Sequence, residues 1–263
     1  MNNEGDKGQL TMIALKSGSE IERIKKSGFV VADLLEGIQK RIEPGMTTED
    51  IDVFINEILS GHDSAKPAFL GYRGFPKSIC ISLNDEVVHG IPSVHRKIEP
   101  GDVVSLDFGV YMGGYYGDAA VSFQVPPMNS EVTGFLRVCR DALEVGIEQT
   151  RVGNRVGHIS SAIQEKVESN GFNVVRSLVG HGVGKNLHEE PQVPNHGSPA
   201  DGVLLQEGMV LAIEPMINMG SADIKTLDDE WTVVTADGSL SAHFEHTVAV
   251  RKDGPQVLTA NKD

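Results

Sequence analysis

The chain has 263 residues, of which 37 are acidic and 23 are basic, and its formal net charge is −14 at pH 7. This excess of negative charge argues against non-specific nucleic-acid binding, which needs a basic surface. No apolar run approaches the roughly 20 residues that span a bilayer. With 40% hydrophobic and 23% charged residues, the composition is that of an ordinary globular protein, and the length suffices for one large domain.

The amino-terminal segment, residues 1–9, is polar and acidic and lacks the basic and apolar regions of a signal peptide. The two cysteines, Cys80 and Cys139, form no metal-spaced pair. We therefore expect both thiols to be free, in a reducing, cytoplasmic location. Residues 1–11 are expected to be a disordered extension, residues 12–258 a single folded domain and residues 259–263 a tail.

Four segments carry apolar residues at helical spacing. The first follows Ser19-Glu20 and stops at Pro44-Gly45, and the second begins in a capping sequence at residues 47–50. We predict helices over about residues 19–42, 47–60, 131–149 and 156–170.

Strand-like sequence lies between and after these helices. Strands are predicted within residues 78–123 and over residues 174–179, 209–214, 231–235 and 244–250. Because two helices followed by strands occur twice, we predict two similar halves joined near Pro126-Pro127. The predicted class is α+β, with helices packed on a mostly antiparallel sheet.

Two carboxylates, Asp107 and Asp118, lie on the two strands of a predicted hairpin that turns at Gly113-Gly114. If the turn is centred between Met112 and Gly113, the two carboxylates face each other directly. The Cβ atoms of directly opposed residues are about 5 Å apart, and like charges there are destabilising. Such a pair is expected to share a proton or a cation. The hairpin alone also allows two solvent-facing acids at a loose edge.

Three further residues have the chemistry of metal ligands. His181 follows a predicted strand within a glycine-rich run, which lets backbone and metal approach closely. Glu214 ends an apolar strand, and Glu245 lies within one, where an unpaired buried carboxylate is costly. Taken singly, His181 also fits an ordinary loop histidine, and Glu214 a surface acid at a strand end.

Together with the two aspartates, these residues form a set of four carboxylates and one imidazole. Two divalent cations balance four negative charges, as a buried dinuclear site requires. Oxygen-rich ligation with one imidazole suits Mn, Fe(II), Co or Zn and does not rank them. Two such ions are a recurring device of hydrolases, in which a shared water becomes acidic enough to attack at neutral pH.

Two more histidines lie where they can hydrogen-bond a substrate. His89 precedes a rigid turn, Gly90-Ile91-Pro92, and His188 lies seven residues after His181. The remaining histidines lack such context, and we assign structural or surface roles to His62, His95, His158, His196, His243 and His246.

These motifs, in this order, resemble those of the type I methionine aminopeptidases over about residues 12–258. The resemblance implies a pita-bread fold, in which two pseudo-symmetric halves pack helices on a curved sheet. The matching stretches are residues 78–84 (SICISLN), 89–92 (HGIP), 107–109 (DFG), 117–120 (GDAA), 180–184 (GHGVG), 188–195 (HEEPQVPN), 212–215 (AIEP) and 244–247 (FEHT).

The resemblance also implies a role for each candidate residue. Two divalent metal ions would be held by Asp107, Asp118, His181, Glu214 and Glu245. Of these ligands, Asp118 and Glu245 would bridge the ions, and Glu214 would also take the proton of the attacking water.

The substrate would be held by the two histidines and by an apolar pocket. His188 would polarise the scissile carbonyl, and His89 would contact the amide nitrogen of the second residue. The methionine side chain would lie among Tyr72, Phe75, Cys80 and Trp231, because apolar and aromatic surfaces suit a thioether.

The resemblance implies removal of the N-terminal methionine from nascent polypeptides whose second residue is small. The enzyme is expected to be a cytoplasmic monomer that binds no membrane and no specific nucleic acid, and docking on the ribosome stays open. Only 31 positions separate Glu214 from Glu245, which leaves no room for the helical insertion of type II enzymes, so a bacterial-type enzyme is expected. Leu187 stands where several bacterial relatives carry an aromatic residue, which leaves the shape of the pocket open there.

Two other functions compete with this interpretation. Xaa-Pro aminopeptidases and prolidases share the fold, but they usually carry a sizeable amino-terminal domain, whereas the first helix here is predicted near residue 20. A non-catalytic binding module on the same fold would have lost ligands or catalytic histidines, and this chain keeps them.

Overall fold

Four α-helices lie close to their predicted positions. Ser17 and Thr47 form capping boxes with Glu20 and Asp50 at the starts of the first two helices, which satisfies backbone N–H groups that a helix start leaves unpaired. The predicted ends of the first and fourth helices are two to three residues too long, because a turn follows each last helical residue. The helices are α1 (Gly18–Gln39), α2 (Thr48–Leu59), α3 (Ser130–Glu148) and α4 (Val156–Glu168).

The computed structural model describes residues 13–62 and 64–260. The predicted disordered extension, residues 1–11, and the last part of the predicted tail lie outside the described residues. The strands within them are β1 (Lys66–Pro67), β2 (Cys80–Leu83), β3 (Glu86–Val88), β4 (Val103–Met112), β5 (Tyr115–Gln124), β6 (Asn173–Val174), β7 (Val179–Gly182), β8 (Glu189–Pro194), β9 (Val210–Ile213), β10 (Met216–Asn218), β11 (Ile224–Thr226), β12 (Val233–Thr235), β13 (Ser241–His243), β14 (Glu245–Arg251) and β15 (Gly254–Val257). A single 3₁₀ turn, Tyr72–Gly74, precedes β2 in this part of the chain.

One large antiparallel sheet runs through the whole fold. Its strands follow the order β1-β4-β5-β14-β9-β7-β8, with β2 paired to β4 and β15 paired to β14. Two small sheets, β13-β10-β6 and β11-β12-β3, pack beside it. The junction of β5 with β14 joins strands from the first and second halves of the chain.

Each half of the sheet is covered by its own pair of helices. The core of the first half is formed by α1 and α2 on β2, β4 and β5, with Phe108 and Ile55 fully buried in it. The core of the second half is formed mainly by α3 and α4 on β8, β9 and β14, with Phe135 and Ile163 at its centre. This arrangement confirms the predicted α+β class and its two similar halves. No helix of the described residues is long and apolar enough to span a bilayer.

The hairpin of β4 and β5 differs from its predicted register by two residues. Asp107 pairs with Ala120, and Asp118 pairs with Gly109, so the two aspartates are diagonal neighbours and do not face each other directly. The reason is the turn: Gly113 and Gly114 both have positive φ and together form the two-residue connection. A shift of two residues keeps every side chain on its face of the sheet. The two carboxylates therefore still lie on one face.

One predicted strand is divided between two sheets, and the predicted strand over residues 244–250 directly follows a short strand of another sheet. Residues 174–179 were predicted as one strand, but β6 pairs with β10 in a small sheet, while β7 pairs with β8 and β9 in the large one. Residues 241–243 form β13 in a small sheet, and the chain crosses at Phe244 into β14 of the large sheet. A pattern read along the chain does not show such a change of partner, because pairing is a long-range property.

Two glycines let α1 lie directly against the sheet and the carboxy-terminal segment. A Cβ atom on Gly28 of α1 would lie 2.4 Å from the carbonyl oxygen of Leu258. A Cβ atom on Gly117 of β5 would lie 2.5 Å from the backbone nitrogen of Gly28. Neither backbone atom can move without shifting a whole element. The packing beside Asp118 therefore requires glycine, which has no Cβ atom, at positions 28 and 117.

We predict that Gly28→Ala lowers the free energy of unfolding by about 1–3 kcal/mol, because it overpacks a backbone contact. Gly37→Ala in the same helix is the matched control, since a Cβ there meets nothing within 4 Å. The control is expected to gain about 0.5–1 kcal/mol from its better helix propensity. Denaturant melts of the two variants and the wild type provide the measurement. Equal stability of the two variants would contradict the proposed packing.

Candidate active site and metal centre

Three of the predicted ligands lie across three adjacent strands. Asp107 on β4 pairs with Ala120 on β5, and Ala120 pairs in turn with Glu245 on β14. Asp118 lies two residues before Ala120, so its side chain is on the same face of β5. Directly paired residues are about 5 Å apart at Cβ. The three carboxylates therefore converge where the two halves of the fold meet.

The other two predicted ligands come from the second half. His181 on β7 pairs with Ala212 on β9, and Glu214 follows β9 directly. The Nε2 atom of His181 lies 3.5 Å from Oε1 of Glu214. One ligand atom each from Asp118, His181 and Glu245 lies within 4.8 Å of the other two. Asp107 and Glu214 line the same cavity as these three residues. The structure thus brings together all five predicted ligands.

The four carboxylates repel one another in a buried space. Burial raises the pKa of Asp118 from 3.8 to about 7. Burial and then the neighbouring charge of Asp118 raise the pKa of Asp107 and of Glu245 well above their ordinary values. Burial, with the charges of Asp107 and Asp118, does the same for Glu214. One oxygen each of Asp107, Asp118 and Glu245 is buried without a hydrogen-bond partner among the described residues. Unpaired carboxylate oxygens aimed at a common space are the donor set expected of a cation site.

His181 presents the correct nitrogen for a metal. Its Nδ1 atom lies 2.9 Å from the carbonyl oxygen of Gly182. Because a carbonyl oxygen can only accept, we assign the ring proton to Nδ1, which leaves the lone pair of Nε2 facing Glu214. Burial lowers the pKa of the ring to about 4, so the ring is neutral at neutral pH. A neutral imidazole whose other nitrogen is held by the backbone fits metal ligation.

Hydrogen bonds from side chains hold the backbone of the ligand strands in place. The hydroxyl of Thr247 accepts from the amide of Asp118 and donates to its carbonyl oxygen, at 3.1 and 2.7 Å. The amide of Asn195 donates to the carbonyl oxygen of Glu214 at 3.0 Å. Thr259, which the sequence places in the tail, is buried and accepts from the backbone amide of Thr247 at 3.1 Å. The positions of Asp118 and Glu214 are therefore fixed by neighbouring strands.

A cavity of about 280 Å³ opens beside the carboxylates. One end of the cavity is apolar and includes Cys80. Because Cys80 is paired directly with Asp107, this apolar end begins next to the proposed ligands. The rings of Phe75 and Trp231 meet edge to face, with centroids 5.1 Å apart. Burial raises the pKa of the Cys80 thiol well above its ordinary value, so the thiol stays neutral. The apolar end of the cavity is lined by Phe69, Tyr72, Phe75, Cys80, Leu187 and Trp231, and all four predicted pocket residues are among them.

The two predicted catalytic histidines also line this cavity. The Nδ1 atom of His188 lies 2.8 Å from the hydroxyl of Tyr72, and the two rings are stacked. His89 has a positive φ of 60°, and its ring centroid lies 6.1 Å from that of Trp231. The pairing of β3 with β12 brings His89 and Trp231 to the same wall, since each lies just outside the paired residues Val88 and Val233.

Among the cavity-lining residues that sequence reasoning missed, Phe69 and His243 bear on the site's chemistry. Phe69 supplies a further aromatic side chain to the apolar wall. His243, predicted to have only a structural or surface role, is 2% exposed, and its Nε2 atom lies 3.8 Å from Oε2 of Glu214. His243 lies two residues before Glu245, and this spacing was the one available signal. Its pKa is lowered to about 3 by burial, so the ring is neutral at neutral pH.

Comparison with known proteins identifies the family. The model of metallopeptidase family M24 matches residues 22–252. The chain belongs to metallopeptidase family M24. It is 47% identical to the methionine aminopeptidase of Clostridium acetobutylicum over 94% of this chain and 99% of that one. The crystal structure of the methionine aminopeptidase of Thermotoga maritima matches with a TM-score of 0.93 and 46% identity, over 95% of this chain and 100% of that one. The resemblance found in the sequence is confirmed.

A more distant structure shares the fold of this metallopeptidase. The prolidase of Pyrococcus horikoshii matches with a TM-score of 0.76 and 23% identity, over 94% of this chain and 64% of that one. At this level of identity the likeness concerns the fold alone. It confirms the pita-bread architecture, and it carries no argument for a prolidase activity here.

The raised carboxyl pKa values make the metal-free protein sensitive to pH. A carboxyl group with a raised pKa contributes stability below its unfolded pKa, and this stability is lost as the pH rises through the folded value. For Asp118 stability is lost up to about pH 7, the folded pKa of this group. For the other three carboxylates the loss extends to pH values well above their ordinary pKa. The neutral buried rings of His181 and His243 act in the opposite direction, but only below the ordinary value of 6.5.

We therefore predict that chelator-treated protein loses thermal stability as the pH is raised from about 6.5 to about 8, because the raised carboxyl pKa values act in this range and the histidine rings no longer do. Addition of Mn(II) should restore stability more at the upper end of this range than at the lower end. Scanning calorimetry of metal-free and Mn(II)-loaded protein measures both effects. A melting temperature of the metal-free protein that is constant or rises over this range would show that folding does not raise the pKa values of these carboxyl groups.

Proposed function

We propose that this metallopeptidase is a methionine aminopeptidase, which removes the N-terminal methionine from polypeptides whose second residue is small. The observation that supports this most directly is the continuity of the cavity. Its apolar end adjoins four carboxylates and four histidines. A first residue whose side chain fills the apolar end has its own peptide bond beside the charged end.

The five-residue set of Asp107, Asp118, His181, Glu214 and Glu245 would hold two divalent cations. Two ions would neutralise the four carboxylates, and Mn, Fe(II), Co and Zn all suit this ligand set. When bound, such ions supply the positive charge that acidifies water at neutral pH and stabilises the oxyanion of a peptide under attack.

Glu214 is the proposed proton acceptor. Unlike Asp118 and Glu245, it is partly exposed, and it lines the cavity. A carboxylate at this position can accept a proton from a water molecule in the cavity. The hydrogen bond from Asn195 to its carbonyl oxygen keeps the backbone of Glu214 in place.

His188 is the proposed donor to the scissile carbonyl. The hydroxyl of Tyr72 lies 2.8 Å from Nδ1 of His188, and we propose that it donates to Nδ1, which places the ring proton on Nε2. The remaining N–H group can then donate to a substrate oxygen. The proposed role of His89, which lies beside Trp231, is to contact the amide nitrogen of the second residue.

The proposal includes the compartment and the substrates of the enzyme. Both cysteines are free and buried, which suits a reducing compartment. We propose that residues 12–258 act as one catalytic domain, as a monomer in the cytoplasm, on the N-termini of nascent polypeptides. Docking on the ribosome belongs to the same proposal and would bring the cavity near the emerging chain.

The metal assignment is tested by Asp118→Asn. This change removes one negative charge of a proposed ligand, so metal occupancy and activity should fall together. Elemental analysis of the purified variant, beside its turnover, is the measurement. The matched control is His188→Ala, which should keep its metal while turnover falls by about 10²–10³, the typical value for one transition-state donor. Two tightly held ions in Asp118→Asn with wild-type turnover would rule out the five-ligand set.

The substrate assignment is tested with a panel of tripeptides, read as kcat/KM. The enzyme should cleave Met-Ala-Ser and Met-Gly-Ser and resist Met-Phe-Ser and Met-Lys-Ser, because a large second side chain would displace the scissile bond from the ligand set. Norleucine at the first position should survive as a weaker substrate, since one methylene is worth about 1–3 kcal/mol in an apolar pocket. Lysine or glutamate should be excluded there, and an acetylated amine should not react.

Controls in the same panel separate the competing functions. Met-Pro-Ser cleaved in preference to Met-Ala-Ser would indicate an Xaa-Pro aminopeptidase. No cleavage of any peptide with any of the four metals would indicate a binding module. Equal rates for Met-Ala-Ser and Met-Phe-Ser would contradict the proposed specificity.

A further inference from the structure

One polar atom in the cavity wall has no partner and no assigned role. The Nε2 atom of His243 is buried, and among the described residues it forms no hydrogen bond. The backbone of His243 is held firmly, because its amide donates to the hydroxyl of Ser122 at 2.9 Å and its carbonyl oxygen accepts from that hydroxyl at 2.8 Å. Pairing with Met216 in the small sheet fixes it further. An unpaired buried nitrogen on so constrained a backbone calls for a functional explanation.

The polar atom that faces this nitrogen belongs to Glu214. Its Oε2 atom lies 3.8 Å from Nε2 of His243, while its Oε1 atom lies 3.5 Å from Nε2 of His181. The carboxylate therefore lies between two imidazoles, with one oxygen toward each. His181 offers its lone pair on that side, because its proton is on Nδ1. His243 is free to offer an N–H group.

We propose that His243 is a positioning residue for Glu214. In the working enzyme its Nε2–H group donates to Oε2 of Glu214 and holds the carboxylate with Oε1 toward His181 and the ligand set. A rotation of the side chains that shortens the separation to about 3.0 Å makes this hydrogen bond. The inference rests on the proposed role of Glu214 as a ligand and proton acceptor.

Free rotation of the Glu214 carboxylate would be harmful at this place. Asn195 and Pro215 restrain its backbone but not its side chain. Without a second contact, Oε1 could turn away from the ligand set, and a ligating carboxylate normally has its own hydrogen-bond partner to prevent this. Among the described residues, His243 is the side chain whose donor faces Oε2. His243 also lines the cavity near His89 and Met216, and direct contact with the substrate is therefore the competing explanation.

Three substitutions separate these explanations. His243→Gln places an amide N–H close to the position of Nε2, His243→Asn places one close to Nδ1, and His243→Leu has no donor. We expect His243→Leu and His243→Asn to lower kcat for Met-Ala-Ser by about 10–100-fold, the usual effect of losing an outer partner of a ligand. For these two variants KM should stay within about twofold of the wild type, since ground-state substrate binding is unchanged. The kcat of His243→Gln should stay within about threefold of the wild type, because its amide still donates near the position of Nε2.

Several kinetic results would overturn the proposal. His243→Leu with wild-type kcat would show that the contact is not needed. Activity kept in His243→Asn but lost in His243→Gln would place the donor on Nδ1. A rise of KM at constant kcat, or an effect that depends on the second residue of the peptide, would show that His243 contacts the substrate instead.

A measurement without turnover makes the test independent of the proposed function. Nitrogen NMR of the Zn(II)-loaded wild type, labelled at histidine, reports which ring nitrogen carries the proton, and His243→Gln assigns the signal. We expect the proton on Nε2, and a proton on Nδ1 would overturn the proposal. If the wild type fails to cleave Met-Ala-Ser, the proposed function is wrong, while this measurement still decides whether His243 donates to Glu214.

Discussion

The fold is organised around a concentration of negative charge that the polypeptide alone does not neutralise. Four carboxylates share one buried space, where burial and the charge of Asp118 disfavour ionisation of Asp107, Glu214 and Glu245. The two imidazoles beside Glu214, those of His181 and His243, are neutral, and His181 offers a lone pair. A protein core tolerates such a cluster when a cation compensates it. The fold therefore has to hold these side chains together against their mutual repulsion.

The sheet keeps them together by placing small residues between them. Ala120 is paired with Asp107 on one side and with Glu245 on the other, and Ala212 is paired with His181. Directly paired side chains are about 5 Å apart at Cβ, so an alanine between ligands leaves open space at the centre of the cluster. The same ladder joins the two halves of the fold. Repulsion between the ligands thus acts directly on the seam between the halves, and a bound cation would strengthen that seam.

Much of this site could be predicted from local sequence, and the remainder depended on pairing. The alternation of side chains in β4 and β5 placed Asp107 and Asp118 on one face even though the predicted register was wrong by two residues, because that error preserves the face. The exact pairing required the conformation of Gly113 and Gly114. His243 was missed for a related reason: the chain changes sheets at Phe244, and local periodicity does not report which strands become neighbours.

The structure also divides the cavity into a part fixed by strands and a part that is held by side chains. Cys80 of the apolar wall is paired directly with Asp107, so the distance from the pocket to the ligand set is fixed by a backbone ladder. His188 lies instead on the connection between β7 and β8. It is held by the hydroxyl of Tyr72 and by the neighbouring Glu189, whose carboxylate accepts from the buried ammonium of Lys16 at 2.7 Å.

This division fits the demands of the proposed reaction. The first side chain must stay at a constant distance from the ligand set, and a ladder of strands provides that. The donor to the scissile carbonyl must adapt as the carbonyl becomes tetrahedral, and a side chain on a connection can move by fractions of an ångström more readily than one within a sheet. His243 belongs to the first part, because its strand is held on both sides by β10 and by Ser122. A rigid donor is what the orientation of a base requires, since its carboxylate must return to one position after each turnover.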